Sequence, residues 1–137
     1  MRREVRLWLA SADDDIYDAG VFFQNTRYFR TAFFSQQAVE KALKSLFFIV
    51  KREDPPKFHS VTELYRNLKD SGFSLPEELE KQLFILNKYY TISRYPDAAN
   101  GLPSDSVDEI EAQRALDLAK GVVDYAKEVA EKSNRTS

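Results

Sequence analysis

From Val5 onward, apolar side chains return every three or four residues, and that spacing admits few architectures. Val5, Leu9, Ala12, Ile16, Ala19 and Phe23 share one face of a 3.6-residue helix. Ala32, Val39, Leu43, Leu46 and Val50 form a second stripe, with Gln36 filling its gap. Leu79, Leu83, Leu86 and Tyr90 form a third, and Leu118, Val122, Tyr125 and Val129 a fourth. No segment alternates with period two for long enough to make a strand. The spacing therefore predicts an all-α protein.

Punctuation sets the element boundaries. Asn25-Thr26 reads as a short turn, and Pro55-Pro56 stops the second helix. Ser60 with Glu63 reads as a capping box that opens a short helix bearing Val61, Leu64, Tyr65 and Leu68, which Gly72 closes. Ser74 with Glu77, and Ser106 with Glu109, repeat the capping device, with Pro76 in a first turn. The expectation is five helices over roughly 3–24, 27–53, 61–71, 76–94 and 106–132. Short connections predict an antiparallel up-and-down bundle, with the short third helix lying across it. One domain spans 1–137, with its core over about 3–132 and a terminus, "EKSNRTS", that frays.

The bulk composition excludes several kinds of chemistry. With 43% hydrophobic and 31% charged residues, the chain has the mix of a soluble globular domain. A net charge of −2 gives no global attraction to nucleic acid or acidic lipid. Without cysteine there are no disulfides, no thiolate catalysis and no cysteine metal site, and one histidine cannot build a multi-histidine metal site in one protomer. The run "LFFIV", 46–50, is too short to span a bilayer, and "MRREVRLWLA" lacks a signal-peptide core. The expected location is the cytoplasm, with no membrane partner.

Several residues invite a chemical reading. Asp13, Asp14 and Asp15 resemble a metal cluster, but consecutive helical residues diverge by about 100°, so a solvated surface is expected. His59 has no carboxylate near it in sequence and reads as a packing residue. Lys41, Lys44, Lys51, Arg52 and Lys57 could meet phosphates, yet Glu40, Glu53 and Asp54 dilute them into an ordinary solvated face. Glu40 and Lys44 have the spacing of a helical ion pair. Phe22, Phe23, Tyr28, Phe29, Phe33 and Phe34 exceed what one face of each helix buries, which points to a subunit interface.

The stretch "YYTISRYPDAANG", 89–101, stands apart. It leaves a helix at Arg94, breaks at Pro96 and shows no further periodicity. Arg94 could simply be a cation at a helix C-terminus. A patternless loop in a compact bundle is also often a functional one.

Together, "AFFSQQAVEKALKSLFF", "FHSVTELYRNL" and "SRYPD" resemble the HEPN domain family of bacteria and archaea, over about residues 3 to 130. The resemblance implies a compact helical homodimer, often paired with a separate minimal nucleotidyltransferase in a toxin–antitoxin module. It also implies, for the ribonuclease members, an arginine followed after four to six residues by a histidine, two copies meeting across the dimer to cut RNA without metal. Arg94 matches the arginine. The histidine positions hold Ala99, Asn100 and Gly101. Asn100 hydrogen-bonds but does not exchange protons near neutral pH. The resemblance thus implies a non-catalytic HEPN domain that binds a nucleotide or RNA end, without cofactor or metal. Arg94, Asp97, Asn100 and Lys44 are the candidate ligand contacts. The alternatives are a degenerate ribonuclease and a purely structural interaction module.

Overall fold

The structure is a computed structural model that describes residues 1–136, with side chains described through Asn134. Every regular element among the described residues is helical, as the apolar spacing predicts. Helix α1 (Arg3–Gln24) turns back through Thr26, at φ 58°, into α2 (Tyr28–Leu46). A π-helical turn, Phe47–Lys51, extends α2 and ends at Arg52 in the left-handed region. Then come α3 (Val61–Asp70), a one-turn α4 (Glu77–Glu80), a 3₁₀ turn (Leu83–Leu86) and α5 (Asn87–Arg94). Two further 3₁₀ turns, Pro96–Ala99 and Pro103–Asp105, precede α6 (Glu109–Thr136). The predicted fraying falls on residues that continue α6 through Thr136, while Ser137 lies outside the described residues.

Helices α1, α2 and α6 pack against one another most extensively, and α2 also meets α3 and α5. The stripe residues Val5, Leu9, Ala12, Val39, Leu43, Leu46, Leu118 and Val122 are all buried in one core. The Tyr28 hydroxyl donates to Glu109 at the starts of α2 and α6, and Phe48 and Ala130 line one cavity near their ends. Those two helices therefore run in the same direction, each antiparallel to α1. The crossover between them carries α3, α4 and α5.

Local chemistry sets the helix ends. The Ser60 hydroxyl accepts from Glu63 N–H at 3.1 Å, as predicted. Beyond α3, Phe73 N–H reaches Leu68 C=O and Gly72 N–H reaches Lys69 C=O, closing the helix with Gly72 at φ 95°. Two predicted caps are corrected. The first turn of α6 is capped by Asp108, whose carboxylate accepts from Glu111 N–H at 2.8 Å, while Ser106 turns its hydroxyl to Pro103 C=O. Ser74 does not cap α4, because Leu75 is buried in extended chain with its N–H bonded to the Tyr65 hydroxyl, and the helix begins after Pro76.

The predicted helix over 76–94 is interrupted, and the interruption moves its inner face. A 3₁₀ helix turns 120° per residue, so residues three apart eclipse. Leu83, Leu86 and Tyr89 step inward by threes and are buried. The predicted stripe placed Tyr90 inside. The tighter turn instead buries Tyr89, whose hydroxyl bonds Glu111, and leaves Tyr90 half-buried at the surface. All six aromatics of the first hairpin are at least partly buried, with Phe22 stacked on Phe34 at 5.4 Å and Phe33 edge-on to Phe34.

Candidate functional site

Gln36, Glu40 and Lys44 recur at intervals of four, so they lie one above another on a single face of α2. All three are buried, which is uncommon for Glu and Lys unless they are paired. The Glu40 carboxylate supplies the pairing. It accepts from Lys44 Nζ at 3.0 Å and from Gln36 Nε2 at 3.3 Å. Lys44 also lies 5.6 Å from the Trp8 ring centre, so α1 covers the cation with an aromatic face.

The third partner of Glu40 comes from outside the helix. His59 Nδ1 lies 3.0 Å from Glu40 Oε2. A carboxylate only accepts, so Nδ1 is the donor in this contact. The carboxylate partner that local sequence does not offer His59 comes from the fold, which brings Glu40 to it across nineteen positions of sequence. Gln36 Nε2 also donates to the His59 carbonyl at 3.3 Å, which holds the segment just before α3 against α2.

Helix α5 is tied to the same place. Asn87 Oδ1 accepts from Val61 N–H at 2.9 Å, and Asn87 Nδ2 donates to the Thr62 hydroxyl. One turn later, Tyr90 lies under His59 with ring centres 4.5 Å apart and planes at 20°. A further turn on, Arg94 Nη1 donates to the Tyr90 hydroxyl at 3.0 Å, and its guanidinium carbon lies 5.7 Å from the ring centre. A cavity of about 410 Å³ opens beside Phe58, His59, Asn87, Tyr90 and Thr91. Contacts therefore run unbroken from Lys44 through Glu40, His59 and Tyr90 to Arg94.

The predicted site residues fall into two groups. Arg94, Asp97 and Asn100 are exposed at the end of α5 and on the 3₁₀ turn beyond it. Asn100 adopts the left-handed conformation and its N–H closes that turn on Asp97 C=O at 3.1 Å. Among the described residues, no carboxylate pairs with Arg94. Lys44 is buried on Glu40 and joins Arg94 only through the chain of contacts.

The basic run is not one solvated face, which corrects that expectation. Lys41 pairs with a buried Asp15 at 2.8 Å, Lys44 is buried, and Lys51 donates to Ser71. Asp15 is likewise not on a solvated surface. Burial, outweighing the pull of Lys41, raises its carboxyl above the usual range. Asp13 turns instead to Lys127 at 2.7 Å. Among the described residues no acidic or histidine group is arranged to hold a metal, and no helix is long and apolar enough to cross a membrane. Gln36, Glu40 and Tyr90 were not singled out as site residues by the sequence. The four-residue ladder of polar positions inside an apolar stripe was the available signal.

Comparison with other proteins agrees with this framework. The chain is similar to TT1696 from Thermus thermophilus, at 32% identity and a TM-score of 0.82, covering 93% of this chain and 99% of that one. It is also similar to ST0689, an archaeal HEPN homologue, at 29% identity and a TM-score of 0.74, covering 93% and 97%. No curated protein matches. The HEPN domain family matches residues 5–129, nearly the whole chain, and the chain belongs to that family.

Proposed function

We propose that this HEPN domain binds the phosphate of a nucleotide or RNA end without cutting it, as a homodimer. The carrying observation is Arg94. Its guanidinium is exposed, unmatched by any carboxylate among the described residues, and aimed by the Tyr90 hydroxyl. A fixed fork of donors suits two phosphate oxygens. Asn100, on the adjoining turn, offers an amide donor. Asp97 offers a counter-charge where two Arg94 side chains meet across a two-fold. Lys44 would have to break its pair with Glu40 to reach a ligand, so its part is to hold Glu40 in place.

Support for a dimer comes from α1. Leu7, Tyr17 and Val21 fall on one outward face and are 52%, 73% and 44% exposed. Sedimentation equilibrium at micromolar concentration should give twice the 15.9 kDa chain mass, and a single chain mass would contradict the dimer. Pairing with a separate minimal nucleotidyltransferase in a toxin–antitoxin-like module follows from the family resemblance. Co-purification of such a protein, encoded beside this chain, tests it.

One observation favours the ribonuclease alternative. Ala99, Asn100 and Gly101 supply no proton acceptor, but His59 brings an imidazole that shares Tyr90 with Arg94. In that reading the neutral imidazole takes the 2′-hydroxyl proton, the 2′-oxygen bonds to phosphorus, the bond from phosphorus to the 5′-oxygen breaks, and the 5′-oxygen takes a proton from water, yielding a 2′,3′-cyclic phosphate and a 5′-hydroxyl end. Incubation of the pure protein with RNA and chelator separates the readings. The binding function predicts intact RNA. Cleavage lost in His59→Ala would establish the alternative.

A further inference from the structure

Asparagine followed by glycine occurs once in the chain, at Asn100-Gly101. Glycine has no side chain to crowd the approach of its own nitrogen to the preceding side-chain amide. Both residues are exposed, on the turn that closes the 3₁₀ segment after Arg94. Among the described residues, neither the Asn100 side chain nor the Gly101 N–H has a hydrogen-bond partner. The attacking nitrogen and the carbonyl it would attack are therefore both open to water. Asn100 sits in the left-handed region, at φ 55° and ψ 41°, which turns the Gly101 nitrogen away from the side chain. One backbone bond holds Asn100 there, from its N–H to Asp97 C=O at 3.1 Å. Breaking it frees ψ to bring the two groups together.

The other four asparagines are held back from this reaction. Asn67, Asn87 and Asn134 lie in α3, α5 and α6, where the helix fixes ψ. Their side chains are also engaged. Asn67 donates to Glu63 C=O, Asn87 ties Val61 and Thr62, and Asn134 accepts from the N-terminal ammonium. Asn25 lies outside a helix, but its Nδ2 donates to Val21 C=O at 2.9 Å. The nitrogen that follows it belongs to the branched Thr26 and is bonded to Phe23 C=O at 3.1 Å.

We propose that Asn100 is a selective self-modification site, which loses its amide by ring closure with Gly101 and so gains a negative charge. The Gly101 nitrogen gives its proton to hydroxide and bonds to Asn100 Cγ. The Cγ–Nδ2 bond breaks, and the amide nitrogen takes a proton from water and leaves as ammonia. Water then opens the cyclic imide at either carbonyl, giving aspartate or isoaspartate. The sum is one water consumed and one ammonia released. Residues 94–101 hold one cation, Arg94, and one acid, Asp97, so the new carboxylate makes this turn net negative. For a phosphate held at Arg94, a consequence that rests on the function proposed above, the change replaces an amide donor with a repelling charge.

Incubation of the full chain at mildly alkaline pH, followed by tryptic mapping with mass spectrometry, tests the site without any ligand. A failure here is thus separate from a failure of Arg94 to bind phosphate. Cleavage after Arg94 and Arg114 isolates residues 95–114, whose only asparagine is Asn100. That peptide should gain the mass difference between acid and amide and separate into aspartate and isoaspartate products. Peptides bearing Asn25, Asn67 and Asn87 should stay unchanged. A sample unfolded in guanidinium gives the rate of an unrestrained Asn-Gly pair. The folded chain should convert within about tenfold of that rate, the factor that one hydrogen bond imposes. Aged wild type should bind an anion exchanger more tightly than fresh protein, and Asn100→Gln should show no such shift. An unmodified 95–114 peptide from the folded chain, where the unfolded sample converts, would overturn the proposal. Equal conversion at Asn25, Asn67 or Asn87 in the folded chain would overturn its selectivity.

Discussion

His59 lies flat on Tyr90, ring centres 4.5 Å apart and planes at 20°, and this contact joins the start of α3 to the exposed end of α5. It exists because the 3₁₀ turn Leu83–Leu86 swings Tyr89 inward and leaves Tyr90 outside. A continuous α-helix with the predicted stripe would have buried Tyr90 and left Arg94 without its support.

The Tyr90 hydroxyl orients Arg94, and its ring carries the stack. Tyr90→Phe keeps the ring and removes the acceptor. The variant should fold normally yet bind a phosphate ligand about 0.5–1.5 kcal/mol more weakly, the net scale of a typical intramolecular hydrogen bond at an exposed site. Titration against wild type checks this, and unchanged affinity would remove Tyr90 from the site.

Glu40 compensates the buried Lys44, both side chains being 7% exposed. Glu40→Gln leaves that cation without a counter-charge in the interior. The expected loss is about 3–5 kcal/mol, measured by urea unfolding. The double variant Glu40→Gln, Lys44→Met should recover most of it, because the uncompensated charge is gone. Trp8, the only tryptophan, sits over Lys44 and reports the transition by fluorescence.

Stability should fall on the alkaline side. Burial, and then donation to Glu80, push the Tyr65 hydroxyl up to about 12. Burial and the bond to Glu111 raise Tyr89 as well. The unfolded chain releases these protons near pH 10, while the folded chain still holds them. The folded state's advantage is therefore complete below about pH 10 and is lost as pH rises through the folded pKa. Unfolding free energy from urea titration should be flat from pH 8 to 9.5 in this respect and decline above about 10. Tyr65→Phe should make that decline shallower.

Gly72 is a backbone requirement. At φ 95° a side chain strains the chain, although an added methyl would meet nothing within 4 Å. Gly72→Ala should thus cost about 1 kcal/mol through backbone strain alone, read as a lowered urea midpoint. No loss would show that the α3 C-terminus relaxes freely.

How much of this was legible in the sequence depended on range. Val5, Leu9, Ala12 and Ala19 are buried as their spacing predicts, because an α-helix repeats the same angle at each residue. The reading failed where the angle changes, at the 3₁₀ turn that exchanges Tyr89 for Tyr90. It also missed the π-helical turn, where Phe47 and Phe48 are consecutive and both buried. The Ser60 cap was visible because its partner is three residues away, whereas Asp108, which caps α6 with the same spacing to Glu111, was not read as a cap. Arg94 stood out as the last residue before a break. His59 did not, since its meaning lies in Glu40 and Tyr90, which only the tertiary fold brings to it.

The most direct measurement is the affinity of wild type and Arg94→Ala for a nucleotide panel and short 5′-phosphorylated RNAs, at low and moderate salt. The account predicts binding by wild type, weakened by roughly 1.5–3 kcal/mol in the variant, the scale of a charge-assisted hydrogen bond. Circular dichroism should be unchanged, because Arg94 is exposed at a helix end. Equal affinity in the two proteins, or no binding by either, would contradict the account and return Arg94 to the role of a helix-terminal cation.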